Sequence, residues 1–126
     1  MKQNTITLSA TLMDAVRTIE SNKRLAVVID QERRVVGTLT DGDVRRSLLN
    51  GNDLYTSVTE AMNHQPIVLE VDVPHNIIKN ILIKNNIRSI PLVDHNNKYL
   101  RTLDETDLYK KDTPSSIKKT FTHYLL

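Results

Sequence analysis

Apolar residues at helical spacing open the chain: Leu12, Ala15, Val16 and Ile19, with Ser9 or Thr11 placed to cap the helix they predict. A continuous apolar run follows from Leu25 to Ile29, which suits a strand covered on both faces. Asp30 to Arg34 is polar and turn-like, and Val35 to Leu39 reads as the returning strand of a hairpin. Thr40 or Asp41 then caps a helix expected to carry Val44, Leu48 and Leu49 inward. Gly51 stands where a left-handed C′ residue belongs.

About 64 residues later the same order returns. Ser57 is placed to cap a short turn ending near Met62, and Pro66 precedes a brief strand from Ile67 to Leu69. Pro74 opens a helix whose apolar face is Ile77, Ile78, Ile81 and Leu82. Ile90 to Val93 reads as a buried strand, with Pro91 suggesting its start or an edge position. Tyr99 to Leu103 returns, and Asp104 opens a last helix through Leu108. The expected architecture is α/β: two pseudo-symmetric repeats, residues 1–62 and 63–111, each a small sheet with two helices packed on it.

Residues 112–126 belong to neither repeat. Thr113 and Pro114 form an N-cap and N1 pair, and Ile117, Phe121, Tyr124 and Leu125 make one apolar stripe. The expectation is a short amphipathic helix that covers the domain's own core, contacts a second copy, or links to a larger protein.

Composition narrows the function classes. There is no Cys, which fits a cytoplasmic protein and excludes disulfides. No apolar stretch approaches the length of a membrane span, and the N-terminus lacks the apolar block of a signal peptide. The net charge of +2 and the scattered aromatics argue against a nucleic-acid surface. His64, His75, His95 and His123 share no ligand spacing, so no metal site is expected. No nucleophile is paired with a base and no Gly-rich phosphate loop is present, so a binding module is expected rather than an enzyme.

The segment from Gly37 to Asp43, GTLTDGD, carries the candidate chemistry. Gly37 permits a close approach to the backbone. Thr40 places a hydroxyl at the mouth of a helix, where first-turn amides lack intrahelical partners and favour anions. Asp43, one turn in, is an acceptor-only carboxylate suited to the paired hydroxyls of a ribose. The same residues also read as a capping box, with Asp in place of the usual Glu or Gln. Both readings stand on the sequence.

With these residues in place, the chain resembles a tandem pair of CBS domains, a Bateman module. The family's signature (Gly, two apolar positions, Ser or Thr, two free positions, Asp) is met at Gly37, Thr40 and Asp43, with Thr38 at an apolar position. Pro91 before Leu92, Val93 and Asp94 matches its strand-leading proline. The string GTLTDGDVRRSLL and the spacing to VTEAMNHQPI and IRSIPLVD resemble the CBS pair preceding bacterial sugar-phosphate nucleotidyltransferase domains. The resemblance implies a regulatory module, frequent homodimerisation, and clefts for AMP, ADP, ATP or S-adenosylmethionine. It implies Asp43 at the ribose and Thr40 at phosphate, with the segment holding Thr5 and Thr7 and the strand holding Val27 bordering the base. Arg24, Arg45, Arg46 and Arg88 are the cations placed to meet phosphate by a two-pronged fork. The alternative is a structural dimerisation module with no ligand.

The second copy departs from the pattern: Asp104 stands in the place of Thr40, Arg101 in that of Gly37, and Asp107 in that of Asp43. Asp107 retains the means to hold a ribose, while a carboxylate at position 104 repels phosphate. That cleft is expected to be empty, to take a weakly charged nucleoside, or to be filled by Arg101 paired with Asp104.

Overall fold

The computed structural model describes residues 4–110. The expected tail helix lies outside them. Strand β1 (Thr5–Thr7) runs parallel to β2 (Ala26–Ile29), which pairs antiparallel with β3 (Val35–Leu39). Helix α1 (Leu12–Asn22) connects β1 to β2, and α2 (Asp41–Leu49) follows β3. A single 3-10 turn, Val58–Glu60, capped by Ser57, leads into the second half. There β4 (Leu69–Glu70), α3 (His75–Lys84), β5 (Ser89–Val93), β6 (Tyr99–Asp104) and α4 (Glu105–Lys110) repeat the order. Each half has its own three-stranded sheet, β1-β2-β3 and β4-β5-β6. No helix among the described residues is long and apolar enough to cross a membrane.

Register shows how close the repetition is. Ala26 faces Leu39 and Ile90 faces Leu103; Val27 faces Thr38 and Pro91 faces Thr102. A bulge follows at the same point in both hairpins, between Val28 and Ile29 and between Leu92 and Val93. Arg33 and Asn97 take the left-handed conformation in the two turns, with φ of 66° and 65°. Asp30 and Asp94 hold those turns closed through amides at Glu32, Arg34, Asn96 and Lys98. Backbone hydrogen bonds at Arg34 and at Lys98 are the largest influence on each carboxyl, and they hold both below the usual Asp range.

The unbroken run in β2 has the expected cause. Ala26 and Val28 face a core with Leu12, Ala15, Ile19, Leu39 and Val44, while Val27 and Ile29 face the seam with Val35, Val93 and Tyr99. The two hairpin turns close that seam: the Val35 amide donates to the Asn97 carbonyl (3.0 Å) and the Tyr99 amide to the Arg33 carbonyl (2.9 Å). A third core, around Ile78, Leu82, Ile90, Leu92 and Leu103, fills the second half.

Some expectations are corrected. Val16, Leu48, Leu49 and Ile77 are exposed, Leu49 by 79%. The inward stripe of α2 is Val44 and Ser47, three residues apart, which turns Leu48 and Leu49 to the outer flank. Pro91 lies in the central strand, neither at its start nor at an edge. Its counterpart Val27 donates its amide to Asn4 ahead of β1. Pro91 has no such donor, and β4 accordingly begins later, at Leu69 rather than at Ile67. Gly51 does end α2, at φ 99°, with Gly51 donating to Leu48 and Asn52 to Ser47 in a Schellman closure.

Candidate functional site

Thr40 is the N-cap of α2, with Asp43 at N3. The Asp43 Oδ2 accepts from the Thr40 amide (2.9 Å) and hydroxyl (3.1 Å), and the Thr40 hydroxyl accepts from the Asp43 amide (3.3 Å). Asp43 Oδ1 accepts from Arg46 (2.6 Å). The capping box is therefore formed. An equivalent box joins Thr11 to Asp14 at the start of α1, with nearly the same distances, 2.9, 3.2 and 3.4 Å. The Thr-x-x-Asp spacing at Thr11 passes without notice in the sequence. A third box starts α4: the Asp104 amide donates to Asp107, and the Asp107 amide donates back to Asp104 (both 3.0 Å).

What separates Thr40 and Asp43 from Thr11 and Asp14 is their setting. A cleft of about 770 Å³ opens between the two halves, floored by the first turn of α2 and the first turn of α4. Its side walls are two matching corners, Lys23 to Leu25 after α1 and Asn86 to Ser89 after α3. Asn22 builds the first corner. It is 1% exposed, its Nδ2 donates to the carbonyls of Thr18 (2.7 Å) and Leu25 (3.2 Å), and its Oδ1 accepts from the Arg24 amide (2.7 Å). Lys23 turns left-handed there, at φ 62°, and Arg24 is delivered to the cleft. Asn86, at φ 54°, and the Ile87 amide bonded to Leu82 (2.9 Å) do the same for Arg88.

The apolar wall comes from residues the sequence reading did not single out. The chain at Asn63 pairs with the edge of β3 at Thr38, through bonds of 2.8 and 3.3 Å, and this carries Ile67 to the cleft beside Ile87, Pro91 and Leu25. Three of those four residues belong to the second repeat and Leu25 to the first, and single-repeat motif reading cannot see the combination.

Of the candidate residues, Arg24, Thr40, Asp43 and Arg88 line this cleft together. Thr5 and Thr7 line a separate surface depression with Asp14 and Arg17. Val27 is wholly buried in the seam. Arg46 reaches Asp43 from the exposed side of α2. Asp107 caps α4 and is not on the cleft wall. Gly37 accommodates protein: a Cβ there would stand 2.5 Å from Met62 Sδ and 3.2 Å from the Asn63 carbonyl.

Asp104 pairs with Arg24 of the other half, not with Arg101. Arg101 and Asp104 are three apart on β6, so they point to opposite faces, and Arg101 is exposed. Burial opposes the charged form of Asp104. The Thr106 hydroxyl (2.6 Å), the Asp107 amide and Arg24 outweigh it and hold the carboxyl down at about 2.

On the far surface, Glu70, Asp72 and His95 gather their ligand atoms within 4.8 Å, and His95 pairs with Glu70 at 3.0 Å. The register of β4 on β5 makes them neighbours, which histidine spacing alone conceals. All three are exposed.

The comparisons with known proteins agree with this geometry. The CBS domain family model matches residues 1–50 and again 58–113. Arabinose 5-phosphate isomerase GutQ of Escherichia coli strain K12 is 35% identical over 106 residues, 83% of this chain and 33% of the isomerase. The chain thus spans about a third of the length of the curated relatives it matches. These are isomerases, not nucleotidyltransferases. Among solved structures, the CBS domain protein PAE2072 of Pyrobaculum aerophilum, complexed with AMP, superposes with a TM-score of 0.75 at 21% identity, over 97% of this chain and 93% of that one. The CBS domain pair of protein MJ0100, in complex with 5′-methylthioadenosine and S-adenosyl-L-methionine, gives 0.73 at 19% identity, over 88% and 92%. The chain belongs to the CBS-domain family as a tandem pair, a regulatory and ligand-binding unit rather than a catalytic one.

Proposed function

We propose that this CBS pair senses an adenosine-containing ligand in the cleft between its halves and biases an attached or partner enzyme accordingly. The observation that carries the reading is the open cleft itself. It joins an apolar wall of Ile67, Ile87, Pro91 and Leu25 to a polar end with Arg88, Thr40 and the first amides of α2. The wall suits a purine and the polar end suits a ribose or phosphate. Asp43 uses its carboxylate for capping and for Arg46, yet each carboxylate oxygen has two acceptor sites, so a ribose hydroxyl can be added without breaking the box. Solved CBS pairs of the same fold bind AMP or S-adenosylmethionine, which supports this ligand class. The chemistry of the partner is read from the relatives. GutQ carries such a region in a sugar-phosphate isomerase, which favours a sugar-phosphate isomerase as the partner over a nucleotidyltransferase. Calorimetry with AMP, ADP, ATP, S-adenosylmethionine and CMP- or GDP-sugars tests it: saturable binding of at least one adenosine ligand supports the reading, and none in a folded sample removes it.

A second reading, a homodimerisation module with a silent cleft, is favoured by the exposed Val16 and Leu49 on α1 and α2 and Ile77 on α3. Solution scattering distinguishes the two: a dimer that AMP and S-adenosylmethionine neither bind nor change belongs to the second.

A further inference from the structure

The operation that relates the halves maps Arg24 onto Arg88 and Thr40 onto Asp104, 64 positions apart in both cases. Arg24 meets a carboxylate, Asp104, across the cleft. By the same operation Arg88 faces a neutral hydroxyl, Thr40, and among the described ion pairs it has no carboxylate. The cleft therefore has two unlike ends. At one, a guanidinium stands opposite a hydroxyl and the start of α2. At the other, the guanidinium is already neutralised by Asp104, while Asp41 and Glu105 hold equivalent places at the two ends and do not distinguish them.

From this asymmetry we infer that Asp104 is a specificity-determining residue that restricts the cleft to adenosine ligands with no more than one phosphate. The inference rests on the nucleotide reading above and deepens it. One phosphate fits between Arg88 and Thr40. A second and third extend along the cleft toward Asp104, where like charges repel. Lys23, another cation of the cleft lining, is engaged by Glu20 at 2.6 Å. The low pKa of Asp104 keeps its charge in place throughout the neutral range. A repeat with Thr at 104 would have offered two equivalent phosphate ends.

The test is a titration of the full chain with AMP and with ATP in magnesium-free buffer, repeated with Asp104→Asn and Asp104→Thr. The Asn variant keeps the shape and an N-cap acceptor, so it stays folded if the Thr variant does not. We expect AMP to bind the native protein about tenfold or more tighter than ATP, and the preference to shrink severalfold in Asp104→Asn. ATP binding as well as AMP to the native protein, or a preference untouched by Asp104→Asn, overturns the inference while leaving the nucleotide reading intact. Binding of neither nucleotide, nor of S-adenosylmethionine, overturns both.

Discussion

Arg24 and Asp104, eighty residues apart, form the ion pair that joins the two halves at the rim of the cleft, with the Asp104 side chain only 10% exposed. The pair explains why the second repeat tolerates an acid at the head of its last helix: the partner cation is supplied by the first repeat.

That pair gives stability a defined pH dependence. Asp104 titrates at about 2 in the folded protein against an ordinary value of 3.8. A lowered folded pKa contributes stability that is complete above the unfolded value and is lost as pH falls through the folded one. We expect the chain to lose on the order of 2 kcal/mol from this group between roughly pH 4 and pH 2. Asp30 and Asp94 are lowered as well, so the readout is a difference: urea melts of the native protein and Asp104→Asn converge toward pH 2 and separate above pH 4. Parallel melts at every pH would contradict it.

Two equivalent capping boxes make an internal control for Asp43. Asp14→Ala and Asp43→Ala each remove an N3 acceptor, and each is expected to cost roughly 1 kcal/mol by thermal or urea melting. Only Asp43 lines the cleft, so Asp43→Ala alone should weaken AMP binding, by tenfold or so for a lost charge-assisted hydrogen bond. Equal affinity in the two variants would assign Asp43 to capping and nothing more.

Gly37→Ala is expected to destabilise the chain by about 1–3 kcal/mol, because the new methyl group overlaps Met62 and crowds the Asn63 carbonyl. Met62 is flexible, so shortening it should recover part of the loss: Gly37→Ala with Met62→Ala should fall below the sum of the two single changes in a double-mutant cycle. Strict additivity would show that Met62 is not what the glycine accommodates.

The seam between the turns can be probed at Asn97. Its side chain donates to the Val35 carbonyl (3.0 Å), and its left-handed φ is one that Asn tolerates better than Ala. Asn97→Ala is expected to cost about 1–2 kcal/mol, read by urea melts. Asn97→Gly, which keeps the φ but not the bond, should cost less. The reverse order would mean that the backbone conformation carries none of the effect.

The repeat, both hairpins and the doubly buried β2 were legible because each rests on local pattern: an apolar run, a turn and a period. The N-cap at Thr40 and the left-handed Gly51 were legible for the same reason. Leu48 and Leu49 were misjudged because an apolar residue on a nine-residue helix does not say which neighbour covers it. Pro91 was misplaced because edge or centre depends on where β4 begins, and β4 is only two residues long. The cleft's composition was the least legible part. Arg24 meets Asp104, and Asn63 meets Thr38, through the packing of one repeat on the other, and no motif within a repeat encodes that pairing. Asn22 left a faint signal, a polar residue closing a helix ahead of two cations, with full burial as the missing fact.

The most direct test is an NMR titration of the isotopically labelled chain with AMP, followed at backbone amides. The account predicts saturable shifts concentrated on Gly42, Ile67, Arg88 and Thr106, residues distant in sequence that meet only in the cleft between the halves. No shifts up to millimolar AMP, or shifts centred instead on Thr5 and Thr7 at the separate depression, would contradict it.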